Sequence, residues 1–136
     1  IFRVENLRFC RSLVMKLVLD VGNCSFDHGT IKTFLSEHWE VNVTRCTTLS
    51  GALQELETAN YDLVLINRII EGDGQPGMEL VKHIVGSNPD STVSVVLLTN
   101  FPEVQASAME AGASASFGKR VLQSDEVHQT LNTMLS

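Results

Sequence analysis

The sequence predicts an α/β fold, a doubly wound sheet of five parallel strands with helices on both faces. Three observations carry that expectation. From Lys16 onward, strand-sized apolar runs alternate with segments whose apolar residues recur at helical spacing. The βα units so defined are each roughly 20–25 residues long, as crossover connections between parallel strands require. Residues 63–66 are apolar without alternation, the pattern of a strand covered on both faces.

The elements follow in order. Residues 17–20 are a short apolar run that breaks at Gly22 and Asn23. Phe26, Thr30, Ile31, Phe34 and Leu35 then mark a helix, with Ser25 as the expected N-cap. Residues 40–44 alternate Val41 and Val43, as an outer strand would. Leu49, Ala52, Leu53 and Leu56 give a second amphipathic helix, and residues 63–66 a buried strand that ends in the polar Asn67. Residues 71–77 are turn chemistry. Leu80, Val81, Ile84 and Val85 give a third helix, stopped near residues 86–89. Residues 93–98 read as a fourth strand. Pro102 suits the first turn of a fourth helix, Ala-rich through Ala111 and closed by Gly112. Residues 113–118 make a short fifth strand. Ser124 caps a last helix carrying Val127, Leu131 and Met134, with Asp125 and Glu126 placed for its dipole.

Open α/β sheets bind ligands outside the carboxyl ends of their strands, at the topological switch point. That places the candidate site at residues 20–23, 67–68, 99–100 and 119–120.

Composition narrows the function. At 136 residues the chain fits one domain with a core of its own. Its net charge of −6 argues against nucleic acid as a partner. Residues 1–14 hold Arg3, Arg8 and Arg11 against Glu5, a net +2, which leaves −8 on residues 15–136. Cys10, Cys24 and Cys46 cannot all pair and match no zinc spacing, so free thiols in a reducing, cytoplasmic setting are expected. No segment approaches the roughly 20 apolar residues of a membrane span. Residues 1–14 show no clean period and form an extension before a domain over 15–136. Two readings stay open: a non-native leader ahead of a start at Met15, or an arm packed on the domain.

At the strand ends the chain resembles the receiver domain of two-component response regulators. The residues that carry the likeness are Tyr61-Asp62-Leu63-Val64-Leu65-Ile66 for the third strand and Val95-Val96-Leu97-Leu98-Thr99 for the fourth. The segment from Ala111 through Gly112, Phe117 and Gly118 to Lys119 is similar to the fifth strand and its lysine. The resemblance implies a flavodoxin-like strand order 2-1-3-4-5. It puts the phosphoacceptor position on Asn67, whose amide has no nucleophilic carboxylate oxygen. The acidic pair that holds Mg²⁺ falls on Asp20-Val21 or Val21-Gly22, which leaves Asp20 the one remnant ligand and Mg²⁺ binding weak or absent. Thr99 matches the family's phosphoryl-binding hydroxyl and Lys119 its lysine. The aromatic switch falls on Ser116 and the proline after the lysine on Arg120, whose peptide bond is then expected to be trans.

The resulting expectation is a non-enzymatic signalling module that works by protein–protein contact without phosphorylation, through the face of the fourth helix, fifth strand and fifth helix. The alternative is an anion- or nucleotide-binding sensor that uses a pocket of Asp20, Val21, Gly22, Arg68, Thr99, Lys119 and Arg120. No cofactor is expected, and whether an output domain accompanies the module is open. With the acidic pair depleted, Lys119 needs a substitute partner, and Asn67 Oδ1 and Asp20 are the nearest by topology. A phosphate loop at residues 22–30 is disfavoured by Asp27. Cys24 and His28 share a helix spacing but make no zinc site, and His38, His83 and His128 are read as structural or solvent-facing. Gly72-Asp73-Gly74 is read as a turn.

Overall fold

The computed structural model describes residues 15–87 and 92–136. The expectations for residues 1–14, and for a helix stop at Asn88 and Pro89, lie outside the described residues. The elements are β1 (Lys16–Val21), α1 (Ser25–His38), β2 (Val41–Cys46), α2 (Leu49–Thr58), β3 (Leu63–Asn67) and α3 (Gly77–Ser87). After them come β4 (Ser94–Leu98), α4 (Pro102–Glu110), β5 (Ala115–Phe117), a 3₁₀ turn at Lys119–Val121 and α5 (Asp125–Leu135). The strands form one parallel sheet in the order β2-β1-β3-β4-β5. The doubly wound, flavodoxin-like fold follows.

Side chains that alternate along each strand divide the core into two layers. Val18, Leu63, Leu65, Val96 and Leu98 face α1 and α5, where they meet Ile31, Phe34, Leu35, Val127 and Leu131. Leu19, Val21, Val64, Ile66, Val95 and Leu97 face the other way, against Ala52 of α2, Leu80, Val81 and Ile84 of α3, and Ala108 of α4. The same alternation sends Asp20 toward α1 and sends Val21 into the opposite layer. A charged residue is thereby buried under a helix, and the side of the sheet it faces decides what it can meet.

Local detail departs from expectation in three places. Cys24, not Ser25, caps α1; its Sγ accepts from the Asp27 amide at 3.4 Å, because the helix starts one residue earlier than the hydroxyl suggests. β5 is shorter than residues 113–118, since the Ala113 amide is taken by the Ala108 carbonyl at the end of α4. The segment after β3 is more than a turn. It folds back through an Ile69–Pro76 bridge, buries Ile70, and seats on the loop after β1, where the Glu71 amide donates to the Gly22 carbonyl at 3.1 Å. Asp73 also reaches the start of α2, with Oδ2 accepting from the Leu49 amide at 2.9 Å.

Gly22 is the joint between these loops. Its φ is +83°, and a Cβ there would lie 2.7 Å from the Ile70 Cα. Any side chain must adopt an unfavourable backbone region and also push against backbone. Gly22→Ala is therefore expected to destabilise the domain by at least about 2 kcal/mol. Urea unfolding checks this, with the midpoint lowered and the slope unchanged.

Candidate functional site

The carboxyl ends of β1, β3, β4 and β5 gather the residues singled out in the sequence, but in two neighbouring clusters. The first is built by β1 and α1. Asp20 is fully buried, and its two oxygens are both engaged: Oδ1 accepts from Asn23 Nδ2 at 2.5 Å, and Oδ2 pairs with His28 Nδ1 at 2.7 Å. Asn23 is buried as well, and its Oδ1 accepts from Lys119 Nζ at 2.9 Å. Lys119 also pairs with Asp27 Oδ2 at 2.6 Å. Arg45 of β2 fixes the loop by donating to the Asn23 carbonyl at 3.3 Å. A continuous polar chain thus runs from His28 through Asp20 and Asn23 to Lys119 and on to Asp27. Among the described residues, no buried side-chain nitrogen or oxygen lacks a partner.

The second cluster surrounds a cavity of about 410 Å³ lined by Asn67, Arg68, Ile69, Leu98, Thr99, Asn100, Phe101, Lys119 and Arg120. Three of these residues are cationic and none is a carboxylate. Asn67 closes β3 on the α1 side of the sheet, and its Nδ2 donates to the Ile69 carbonyl at 2.7 Å. The amide is therefore turned into its own loop. Arg68 holds its guanidinium 5.1 Å from the centre of the Phe101 ring. Thr99 is buried, with Oγ1 accepting from the Phe101 amide at 3.2 Å, and Gln105 Nε2 donates to its carbonyl. Gly118 packs so tightly beside Asn100 that an added Cβ would overlap the Asn100 side chain.

Several residues sit elsewhere than the sequence suggested. Val21 is fully buried in the α2–α3–α4 layer and is a core residue. Gly22 lies beneath Ile70, and Asp20 does not line the cavity. Lys119 takes neither Asn67 Oδ1 nor Asp20; its partners are Asn23 and Asp27, both supplied by the approach to α1. Ser116 spends its hydroxyl on the Leu97 carbonyl at 2.7 Å, within the sheet. The described residues contain no cis peptide bond, so Lys119–Arg120 is trans and opens a 3₁₀ turn.

Asn23 falls within the candidate range 20–23, whereas Asp27 and His28 were not singled out from the sequence as site residues. Asp20 carried the signal that could have found them. A carboxylate on a strand covered on both faces needs partners, and alternation points it at the helix that follows.

This donor set does not fit the Mg²⁺ ion that receiver chemistry uses. Mg²⁺ wants near-octahedral oxygen ligation, whereas both oxygens of Asp20 are committed and Gly22 has no room for a carboxylate. Among the described residues no three of His, Cys, Asp and Glu are grouped to hold a metal. Nearby, burial first, and then the negative charges of Glu55 and Asp20, push the Cys46 thiol up from its ordinary range.

Solved structures share the fold. The response regulator TrrA of Thermotoga maritima, solved in complex with Mg²⁺ and beryllium fluoride, is 24% identical, covering 89% of this chain and 100% of its own at a TM-score of 0.72. The fold is that of a receiver domain. The BeF3-activated N-terminal receiver domain of RstA from Klebsiella pneumoniae is 21% identical over 88% of this chain and 97% of its own, at a TM-score of 0.71. The receiver domain of a histidine kinase from Syntrophus aciditrophicus is 22% identical over 87% of this chain and 91% of its own, at 0.67. No family model matches the sequence, and no curated protein does. Among the described residues of this receiver fold, no helix is long and apolar enough to cross a membrane.

The buried Asp20 depends on His28, which is largely covered at 17% side-chain exposure. His28→Ala strips one of the two partners from a fully buried carboxylate and should cost about 1–3 kcal/mol. Adding Asp20→Asn to that variant should recover part of the loss. Urea unfolding of the two variants measures both.

Proposed function

We propose that this chain is a receiver-fold signalling module that acts by protein–protein contact and does not use phosphoryl transfer at Asn67. One observation carries the reading: the lysine of the strand-end site is already satisfied, by Asp27 at 2.6 Å and Asn23 at 2.9 Å. A cation that waits for a phosphoryl group would be expected to face the acceptor position. Here the acceptor position is an amide that bonds to its own loop. The missing acidic pair removes the Mg²⁺ that would neutralise an incoming phosphate. In this reading the module is not an enzyme and carries no cofactor.

The contact surface is the face of α4, β5 and α5. It presents small residues along α4, and Phe101, Met109 and Val121 are large apolar side chains left 45–49% exposed beside these elements. Ser116, held by the Leu97 carbonyl, replaces the aromatic switch by which a receiver couples this face to its phosphorylation state. The face is then constitutively ready for a protein partner or a second copy. The partner's identity is open to pull-down with this face intact or altered.

Acetyl phosphate with Mg²⁺ should leave the intact mass without a phosphoryl adduct. Asn67→Asp alone should also stay unlabelled, because the metal site remains incomplete. Rapid phosphorylation of that variant would contradict the reading.

A second reading rests on the 410 Å³ cavity, where Arg68, Lys119 and Arg120 meet no lining carboxylate. Such a pocket suits an oxyanion, inorganic or on a nucleotide, as the ligand of a sensor. Asp27 then acts as an internal competitor for Lys119. Inorganic phosphate should raise the melting temperature of the parent. Asp27→Asn should strengthen that response several-fold and Lys119→Ala should abolish it. An equal response in all three proteins would sink the anion reading and leave the contact module untouched.

A further inference from the structure

The basic cavity at the strand ends carries a feature that an oxyanion alone does not use. Phe101 lines it and is half-exposed, and the Arg68 guanidinium stands 5.1 Å from the centre of its ring. Phe101 also occupies the N-cap of α4, a position that favours Ser, Thr, Asp or Asn, and it makes no side-chain cap bond there. The ring neither caps the helix nor joins either layer of the core. We propose, resting on the anion reading of this cavity, that its ligand is a free nucleoside monophosphate. The base stacks on the Phe101–Arg68 pair, and Lys119 and Arg120 hold the phosphate.

Each part of such a ligand has a counterpart. A flat base gains both from an aromatic face and from a guanidinium plane, so the Phe101–Arg68 pair can extend its stack by one more ring. Asn100 lines the cavity beside Phe101, and its carboxamide makes no hydrogen bond to another described residue. It offers a donor and an acceptor side by side, the pattern that pairs with the edge of a base. Thr99 is buried against the same space, and its Oγ1 accepts from the Phe101 amide, so its hydroxyl hydrogen is left to donate. No acceptor among the described residues takes that hydrogen, and a phosphate or ribose oxygen can. Charge sets the length of the phosphate chain. Arg68 is committed to the ring and Lys119 shares its charge with Asp27, which leaves Arg120 and part of Lys119 for the ligand. That suits one phosphate group better than two or three. A volume of about 410 Å³ is also of the size that takes one small organic ligand. The net charge of −6 disfavours a nucleic-acid chain, whose backbone would meet the acidic remainder of the protein.

Isothermal titration without Mg²⁺ compares three probes: inorganic phosphate, ribose 5-phosphate and AMP. AMP should bind about tenfold or more tightly than ribose 5-phosphate, the gain expected of one stacked base. Phe101→Leu keeps an apolar side chain but loses the π face, and Arg68→Lys keeps the charge but loses the plane. Each should remove most of the AMP advantage and leave ribose 5-phosphate binding unchanged. Arg120→Gln should weaken both sugar phosphates alike. Measurable but equal affinity for AMP and ribose 5-phosphate would overturn the nucleotide assignment and leave the anion reading standing. An AMP advantage that survives both Phe101→Leu and Arg68→Lys would do the same. No binding of any of the three probes would overturn the anion reading and the nucleotide with it.

Discussion

The strand-end face depends on one ammonium group. Lys119 leaves β5 at the start of a 3₁₀ turn and ends between Asn23 Oδ1 and Asp27 Oδ2. Through that contact the last βα connection is tied to the first, across the full width of β1, β3 and β4. The pair is only about two-thirds covered, 32% and 35% exposed, so its direct contribution to stability is modest. Its consequence lies in what it excludes. A lysine held toward α1 is not free to meet charge at Asn67 without giving up a partner.

Everything else at the site is consistent with that choice. Asn23 turns its oxygen to Lys119 and its nitrogen to Asp20, so one amide serves both a cation and a carboxylate. Asp20, in turn, can remain fully buried because His28 takes its other oxygen. Gly22 lets the loop after β3 press onto the loop after β1 and leaves no volume for a second acidic side chain. The crowding at Gly22 and the turn of Lys119 toward α1 thus belong to one arrangement of the loops. What remains beyond it is a basic cavity around Arg68 and Arg120, set apart from the acidic cluster beneath α1.

Much of this was legible in the sequence, and the limits have physical reasons. Strand and helix order followed from periodicity, because a sheet covered on both faces leaves unbroken apolar runs such as residues 63–66. The polar residues Asn67, Ser116 and Arg120 were visible at identifiable strand ends. The partner of Lys119 was not, because topology names which strand ends are near but not which way a long side chain turns. Asp27 looked only like a residue unsuited to phosphate binding; its ion pair needed the helix start to be fixed at Ser25 with Cys24 as cap. His38 and His128 illustrate the same limit. Scattered in sequence, they become neighbours only once α1 and α5 share a face of the sheet.

The central claim is that the start of α1 holds the site's lysine. A double-mutant cycle tests it directly, with Asp27→Asn, Lys119→Met and the pair compared with the parent by urea unfolding. The account predicts a favourable coupling of about 0.5–1 kcal/mol between the two positions, reduced at high salt. Additive effects, with no coupling at low salt, would mean that Lys119 is not held by Asp27 and would contradict it.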